Sequence, residues 1–143
     1  VKAFNHLLGE SPISFYGRKD LAARYAKNFP GSLHGAPVLL PMTGSAQRRS
    51  LEGWFEEVGV SPEIVAEFDD SALLKAFGET GAGIFPAPVA IDNQLEYTYH
   101  VRLIGPAGPL KETYYAISPE RVLRQTAVRH ITDSARQRLL QLK

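Results

Sequence analysis

Short apolar runs alternate with segments of helical periodicity along most of the chain. The runs are Ile13–Tyr16 (ISFY), Pro37–Leu40 (PVLL) and Ile64–Phe68 (IVAEF), and a further short apolar strand is expected after Gly81. Between them, apolar side chains recur at helical spacing over Lys19–Phe29, at Leu51, Trp54, Phe55 and Val58, and over Asp70–Glu79. Because the strands lack polar alternation, they predict an α/β fold with a parallel sheet that helices cover on both faces.

The pattern weakens after Pro88. Val101–Ile104 and Thr113–Ser118 are predicted strands. Gly105–Pro109 (GPAGP) lies between them and is predicted to be a loop, because glycine and proline interrupt regular structure. A last helix is expected from Thr126, since Val128, Ile131, Ala135, Leu139 and Leu142 follow helical spacing.

Composition excludes several classes of protein. The formal net charge is +1, so the chain has no global basic surface with which to grip nucleic acid. It contains no cysteine, which excludes disulfides, thiolate zinc sites and a cysteine nucleophile, and which agrees with the cytoplasm. With 44% hydrophobic and 22% charged residues, the chain has the composition of a globular domain. No apolar run approaches the roughly 20 residues of a membrane helix.

Two adjacent acids, Asp69 and Asp70, come directly after a predicted strand and before a helix. Asp and Ser are favoured there because their oxygens accept the free N–H groups of the first helical turn. Ligands of open α/β sheets also bind at the carboxyl ends of the strands. We therefore expect one residue of Asp69-Asp70-Ser71 to cap the helix, and its neighbour is a candidate for ligand or cation contact.

Thr43–Arg49 follows the preceding strand in the same way. A hydroxyl residue, a glycine and a helix N-terminus suit either an ordinary cap or a site for an anion or polar group. The segment is not a phosphate-binding Walker A loop, and the glycines at 78, 81 and 83 follow a helix where a dinucleotide fingerprint would precede one. Those glycines are expected to end the helix and turn the chain into the next strand.

Catalytic and metal-binding patterns are missing from the sequence. The histidines, at positions 6, 34, 100 and 130, do not have the spacing of metal ligands, and no G-x-S-x-G elbow is present. Helix N-termini at strand ends suit a protein that binds a small ligand without transforming it. We therefore expect a binding protein and not an enzyme.

The order of motifs resembles the effector-binding domain of LysR-type transcriptional regulators. The motifs are L-x-G-x-P (Leu33–Pro37), Ser45–Arg49 before GWF (Gly53–Phe55), P-x-I-V-x-E (Pro62–Glu67), G-x-G-I-F-x-x-P (Gly81–Pro88) and Y-x-I-x-x-E-R (Tyr115–Arg121). Within that family, Glu67–Gly78 together with Ile84–Pro88 looks most like members that activate the gene of a sodium/proton antiporter.

The resemblance implies a fold like that of type 2 periplasmic binding proteins, with one complete α/β subdomain and the C-terminal part of a second. Residues 1–17 would end the first subdomain and include the outward crossing strand. Residues 18–100 would form the whole second subdomain, and residues 101–143 would return to an incomplete first subdomain. The winged helix-turn-helix that gives such regulators their DNA contacts is absent from this chain.

By position, the resemblance also implies an effector-binding cleft. Its candidate residues are Met42, Thr43, Gly44, Ser45, Phe68, Asp69, Asp70 and Phe85. The signal of the similar members is sodium or lithium, and hard cations prefer oxygen ligands. Asp69, Asp70, Thr43 and backbone carbonyls are therefore possible sodium contacts. No catalytic residue, resident metal or other cofactor is expected.

The partners implied by the resemblance are DNA, bound through an N-terminal domain missing from this chain, a small effector or cation, and further copies in a homodimer or tetramer. No membrane partner is expected, and the localisation implied is the cytoplasm. A periplasmic solute-binding protein of the same fold is the alternative. An enzyme on a related fold would need an acid/base or nucleophile set that the sequence does not show.

Overall fold

A computed structural model describes residues 3–118 of the chain. In chain order the elements are β1 (Phe4–Arg18), α1 (Lys19–Tyr25), β2 (Pro37–Pro41), α2 (Ala46–Val58), β3 (Glu63–Phe68), α3 (Ser71–Glu79), β4 (Phe85–Pro88), α4 (Asp92–Tyr99) and β5 (Val101–Ser118), with short 3-10 turns at Gly31–Leu33 and Val89–Ile91. The helix expected from Thr126 lies outside the described residues.

The longest feature is an antiparallel pair of strands, β1 and β5. Their register runs from Phe4 opposite Ser118 to Arg18 opposite Val101, with irregular steps that include Pro12 to Ser14. β4 pairs antiparallel with the other edge of β1, so the sheet has the order β4-β1-β5. The predicted strand at Ile13–Tyr16 is therefore the inner part of a much longer strand.

β2 and β3 form the parallel pair that the alternating pattern predicts. A parallel bridge between Val38 and Ile84 adds the start of the next segment to the free edge of β2. The prediction was wrong in placing Ile13–Tyr16 in the same parallel sheet, because this segment is antiparallel to both β4 and β5.

The loop predicted at Gly105–Pro109 is wrong, because this segment lies inside β5. Gly105 is opposite Phe15, and Pro106 is opposite Ser14. β5 is an edge strand of its sheet, and proline is tolerated on edges where its missing N–H is not needed. A Cβ at Gly105 would lie 2.4 Å from Cδ1 of Phe29, so glycine serves a close approach here and not a turn.

Two helix assignments also differ from the sequence pattern. α1 ends at Tyr25, whereas the prediction extended it to Phe29. Asn28 has a left-handed φ of 61°, and the residue before Pro30 is restricted to extended backbone, so the helix cannot continue. α4 was missed because Leu95 is its one buried residue, which leaves almost no apolar periodicity to detect.

β1 separates two apolar clusters, because consecutive side chains of a strand point to opposite faces. Phe15 lies in the first cluster with Trp54, Phe55 and the half-buried Phe29. Tyr16 lies in the second cluster with Leu74, Phe85 and Leu95. α2 therefore covers one face of β1, whereas α3 and α4 cover the other. No helix among residues 3–118 is long and apolar enough to cross a membrane.

The hydroxyl of the buried Tyr16 also attaches α4 to the sheet. It donates a hydrogen bond of 2.8 Å to Oδ1 of Asp92, the first residue of α4. Burial, with the Asp92 carboxylate beside it, raises the pKa of Tyr16 far above its ordinary value, so the phenol stays protonated and remains a donor.

Candidate functional site

A pocket of about 290 Å³ lies at the carboxyl ends of β2 and β3. Its walls come from Pro41 at the end of β2, Gln47 in the first turn of α2, Phe68 and Asp69 after β3, Ser71, Leu74 and Lys75 of α3, Pro86, Ala87 and Pro88 of β4, Ile91, and Glu112 and Tyr114 of β5. This is the edge of a parallel sheet at which open α/β folds bind ligands.

The pocket combines an apolar base with a few polar side chains. Phe68, Leu74 and Ile91 are partly or fully buried, whereas the lining residue Asp69 is exposed. Among residues 3–118, the side chains of Asp69, Lys75 and Gln47 have no hydrogen bond or ion pair to other protein groups. They are therefore free to bind a ligand. An apolar base with a few such polar side chains is the usual composition of a small-molecule site.

Tyr114 adds a protonated phenol to the β5 wall. Burial raises its pKa well above the ordinary range, and the negative charge of Glu112 adds to the shift. The hydroxyl donates a long hydrogen bond of 3.4 Å to Oε2 of Glu112. Sequence reasoning missed both residues, because the pairing of β5 with β1 that brings them to the pocket is between segments distant in the chain.

The two adjacent acids divide between capping and lining. Asp70 is the N-cap of α3, since its Oδ1 accepts hydrogen bonds from the amides of Ala72 (2.8 Å) and Leu73 (3.4 Å). Asp69 lines the pocket, whereas Asp70 does not. The predicted cap is confirmed, and Asp69 is the acid that the geometry offers to a ligand.

The segment Met42–Ser45 lies at the same edge, directly between the lining residues Pro41 and Gln47. Met42 is exposed and its amide donates to the carbonyl oxygen of Phe68 at 3.0 Å, which joins the ends of β2 and β3. Gly44 has a left-handed φ of 93°. Ser45 caps α2, because its Oγ accepts from the amide of Arg48 at 3.1 Å. These four residues border the pocket without lining it.

Phe85 is not on the surface of the pocket. Its side chain is fully buried and contacts Tyr16 at a ring-centroid distance of 6.3 Å. The residues that follow it, Pro86 to Pro88, line the pocket in its place. The structure thus brings Phe68 and Asp69 together at the site, and it places Phe85 in the core beneath.

Arg48 and Glu67 are two further residues that sequence reasoning did not select. The Arg48 side chain is buried and bonds to Glu67 and Glu52, while Glu67 also binds Thr43. The hydrogen bonds from Thr43, with the guanidinium of Arg48, lower the pKa of Glu67. A signal was available: Arg48 shares the buried helix face of Leu51 and Phe55, where a charged residue is unusual.

Among the described residues, no group of three or more His, Asp or Glu side chains is placed to hold a metal ion. A cation in this pocket would depend on Asp69 together with hydroxyl, amide and carbonyl oxygens.

Comparison with known proteins identifies the family. The family model described as LysR substrate binding domain matches residues 4–140. The chain belongs to the LysR family. This LysR domain is also 34% identical, over 131 residues and 92% of its length, to Transcriptional activator protein NhaR of Escherichia coli (strain K12). The match covers 42% of NhaR, so the chain spans less than half of this relative. The resemblance inferred from the motifs is confirmed.

Solved effector-binding and regulatory domains share the fold. The AmpR effector binding domain from Citrobacter freundii superposes with a TM-score of 0.65 at 18% identity, over 97% of this chain and 68% of that one. The CcmR regulatory domain from Synechocystis PCC6803, solved in complex with 2-PG, gives a TM-score of 0.64 at 13% identity, over 97% and 68% of the two chains. The α/β class, similar to type 2 periplasmic binding proteins, is confirmed.

Proposed function

We propose that this LysR domain is the effector-sensing part of a transcriptional activator and that the pocket at the ends of β2 and β3 receives the effector. The observation that supports this best is the group of unpartnered polar side chains, Asp69, Lys75 and Gln47, around an apolar base. A ligand that binds one arrangement of the subdomains more tightly than another shifts the population toward it. The role requires binding and no catalysis.

The proposal extends to the whole protein. DNA is bound in the cytoplasm, through an N-terminal domain outside this chain. Residues 18–100 form one regulatory subdomain, and residues 1–17 and 101–143 belong to the other. The test is a DNA mobility-shift and reporter assay with the intact protein. DNA binding that responds to a small effector supports the proposal. A protein that binds solute but no DNA would favour the periplasmic alternative.

We propose sodium, or lithium, as the effector. The support is the similarity to NhaR together with the oxygen-rich edge of the pocket, where hard cations find their preferred ligands. Asp69 is the stronger contact, because Oδ1 of Asp70 is already engaged with the first turn of α3. Backbone carbonyls complete the proposed oxygen set, because Thr43 borders the pocket without lining it and its hydroxyl donates to Glu67.

Replacing Asp69 with asparagine should raise the sodium concentration for half-maximal response of the intact protein about tenfold or more, because a full ligand charge is lost. Asp70→Asn should change the response less, since asparagine caps a helix as well as aspartate does. Reporter activity is measured against sodium chloride, with potassium chloride at equal ionic strength as the control. A double Asp69→Asn/Asp70→Asn protein with an unchanged sodium response contradicts the cation proposal.

The homodimer proposal is supported by an exposed apolar patch on β3 and α3. Ile64, Val65, Leu73 and Phe77 are each between 45% and 48% exposed. Within residues 3–118, β3 has a strand partner on one edge alone, so its other edge offers unpaired backbone groups to a second copy. An apolar surface next to an open strand edge fits self-association better than a solvated face.

Val65→Glu should weaken the dimer of the intact protein about 100-fold, because an unpaired carboxylate would be buried in the interface. Sedimentation over a range of protein concentrations measures the dissociation constant. Tyr97→Glu serves as the control, since Tyr97 is 86% exposed on α4 and outside the patch. Equal dissociation constants for the two variants would place the dimer contact elsewhere.

A further inference from the structure

Arg48 is the one buried charged side chain in the part of the chain that the structure describes, at 5% exposure. Its guanidinium donates to three acceptors: the carbonyl oxygen of Pro41 at 2.8 Å, Oε1 of Glu52 at 2.7 Å and Oε2 of Glu67 at 2.6 Å. A buried charge is costly unless its hydrogen bonds are satisfied in good geometry. These bonds reach three elements, so Arg48 does more than neutralise one neighbour.

Glu67 collects a second set of bonds on the same oxygen. Oε2 accepts from the amide of Thr43 at 3.0 Å and from its Oγ1 at 2.5 Å, in addition to Arg48. We call Arg48, Glu67 and Thr43 the Arg48 cluster. It joins α2, the end of β3 and the segment that follows β2. Its hydrogen bonds are charge-assisted, and such bonds are stronger than those between neutral groups.

Arg48 and Glu67 are connected to residues that line the pocket, either by a hydrogen bond or as neighbours in the chain. Pro41, whose carbonyl binds Arg48, is a lining residue itself. Gln47 precedes Arg48 in the chain, and Phe68 and Asp69 follow Glu67. Through one hydrogen bond and these chain neighbours, the cluster is connected to lining residues of three different elements, β2, α2 and β3.

We propose that Arg48 and Glu67 are positioning residues: they fix Met42–Ser45 and the ends of β2 and β3 in the arrangement that presents Asp69 and Gln47 to the effector. The effector part of this inference rests on the proposed function of the pocket. Neither residue touches the ligand. The bonds act on the ligand through the placement of the neighbouring residues.

Glu52 supplies a matched control, because it is a second carboxylate bound to Arg48 but is outside the Arg48 cluster. Its bond to Arg48 has nearly the same length as that of Glu67, but it is an i,i+4 pair inside α2. Its side chain is 53% exposed, against 40% for Glu67. Glu52→Gln removes the charge from an Arg48 ion pair within α2, whereas Glu67→Gln removes the charge from the acceptor that connects Arg48 and Thr43 across elements.

The experiment compares Glu67→Gln, Thr43→Val and Glu52→Gln with the wild type in the intact protein. Hydrogen exchange measures the amide of Thr43, with the amide of Ala72, which Asp70 caps, as an internal reference. Sodium titration of reporter activity is measured on the same proteins. We expect Thr43 to exchange about tenfold faster in Glu67→Gln, since its amide then donates to a weaker, neutral acceptor, and to be unchanged in Glu52→Gln.

The sodium midpoint should rise severalfold in Glu67→Gln and Thr43→Val and stay unchanged in Glu52→Gln. Equal Thr43 exchange in Glu67→Gln and Glu52→Gln overturns the inference, as does faster exchange with an unchanged sodium midpoint. If the wild type itself ignores sodium while Thr43 exchanges faster in Glu67→Gln alone, the positioning of the segment is supported and the proposed effector is not.

Discussion

Replacing Phe15 with alanine is expected to lower the free energy of unfolding by about 4 kcal/mol, the largest effect that we predict. Phe15 is fully buried on β1 and lies at the centre of an aromatic group. Its ring is 6.1 Å from Trp54, 6.1 Å from Phe55 and 6.3 Å from Phe29, measured between centroids. Truncation removes apolar contacts on several sides and leaves a cavity that the surrounding strands and α2 cannot close.

Urea denaturation followed by fluorescence measures this effect, because Trp54 is the only tryptophan in the chain and contacts Phe15. Tyr97→Ala is the control, since an aromatic side chain that is 86% exposed should cost less than about 0.5 kcal/mol. A loss below about 1 kcal/mol for Phe15→Ala would mean that the aromatic group is not packed as described.

Gly78→Ala should destabilise the protein by about 2 kcal/mol even though alanine is the better helix former. Gly78 lies in α3 directly against the ring of Phe85. A Cβ there would be 2.2 Å from Cε1 and 2.4 Å from Cδ1 of Phe85, and that ring is itself fully buried and cannot move aside freely. The overlap outweighs the gain in helix propensity, which is at most about 1 kcal/mol.

Gly53→Ala provides the opposite case within α2. A Cβ at Gly53 meets no atom within 4 Å, so the substitution should stabilise the protein by about 0.5–1 kcal/mol. Denaturation curves for the two variants are compared with that of the wild type. Stabilisation by both changes would show that helix propensity, and not the contact with Phe85, decides the effect at Gly78.

The features that the sequence predicted correctly depend on residues close together in the chain. The periodicity of Leu51, Trp54 and Phe55 indicates α2, and all three side chains are buried. Ser45 and Asp70 cap α2 and α3, because an N-cap is determined by the amides two or three residues later. The position of Asp69 at the pocket can also be predicted from nearby residues. A residue between a parallel strand and a capped helix lies at the carboxyl end of the sheet.

The features that could not be predicted depend on contacts between distant segments. GPAGP is a strand because β1 lies beside it, and nothing within those five residues encodes that neighbour. Phe85 is buried because Tyr16, from a strand much earlier in the chain, packs on it. Glu67 and Arg48 are 19 residues apart, and their bond becomes visible only when β3 is placed beside β2.

The pairing of β1 with β4 and β5 has a consequence for synthesis of the protein. Within the described chain, β1 is made first, yet its strand partners are Phe85–Pro88 and Val101–Ser118. At typical translation rates, an aromatic strand containing Phe15 and Tyr16 stays unpaired on the nascent chain for on the order of ten seconds. Such distant pairing is slow to close because loop entropy is lost before contacts form. The interval is one in which this strand is exposed to aggregation and available to chaperones.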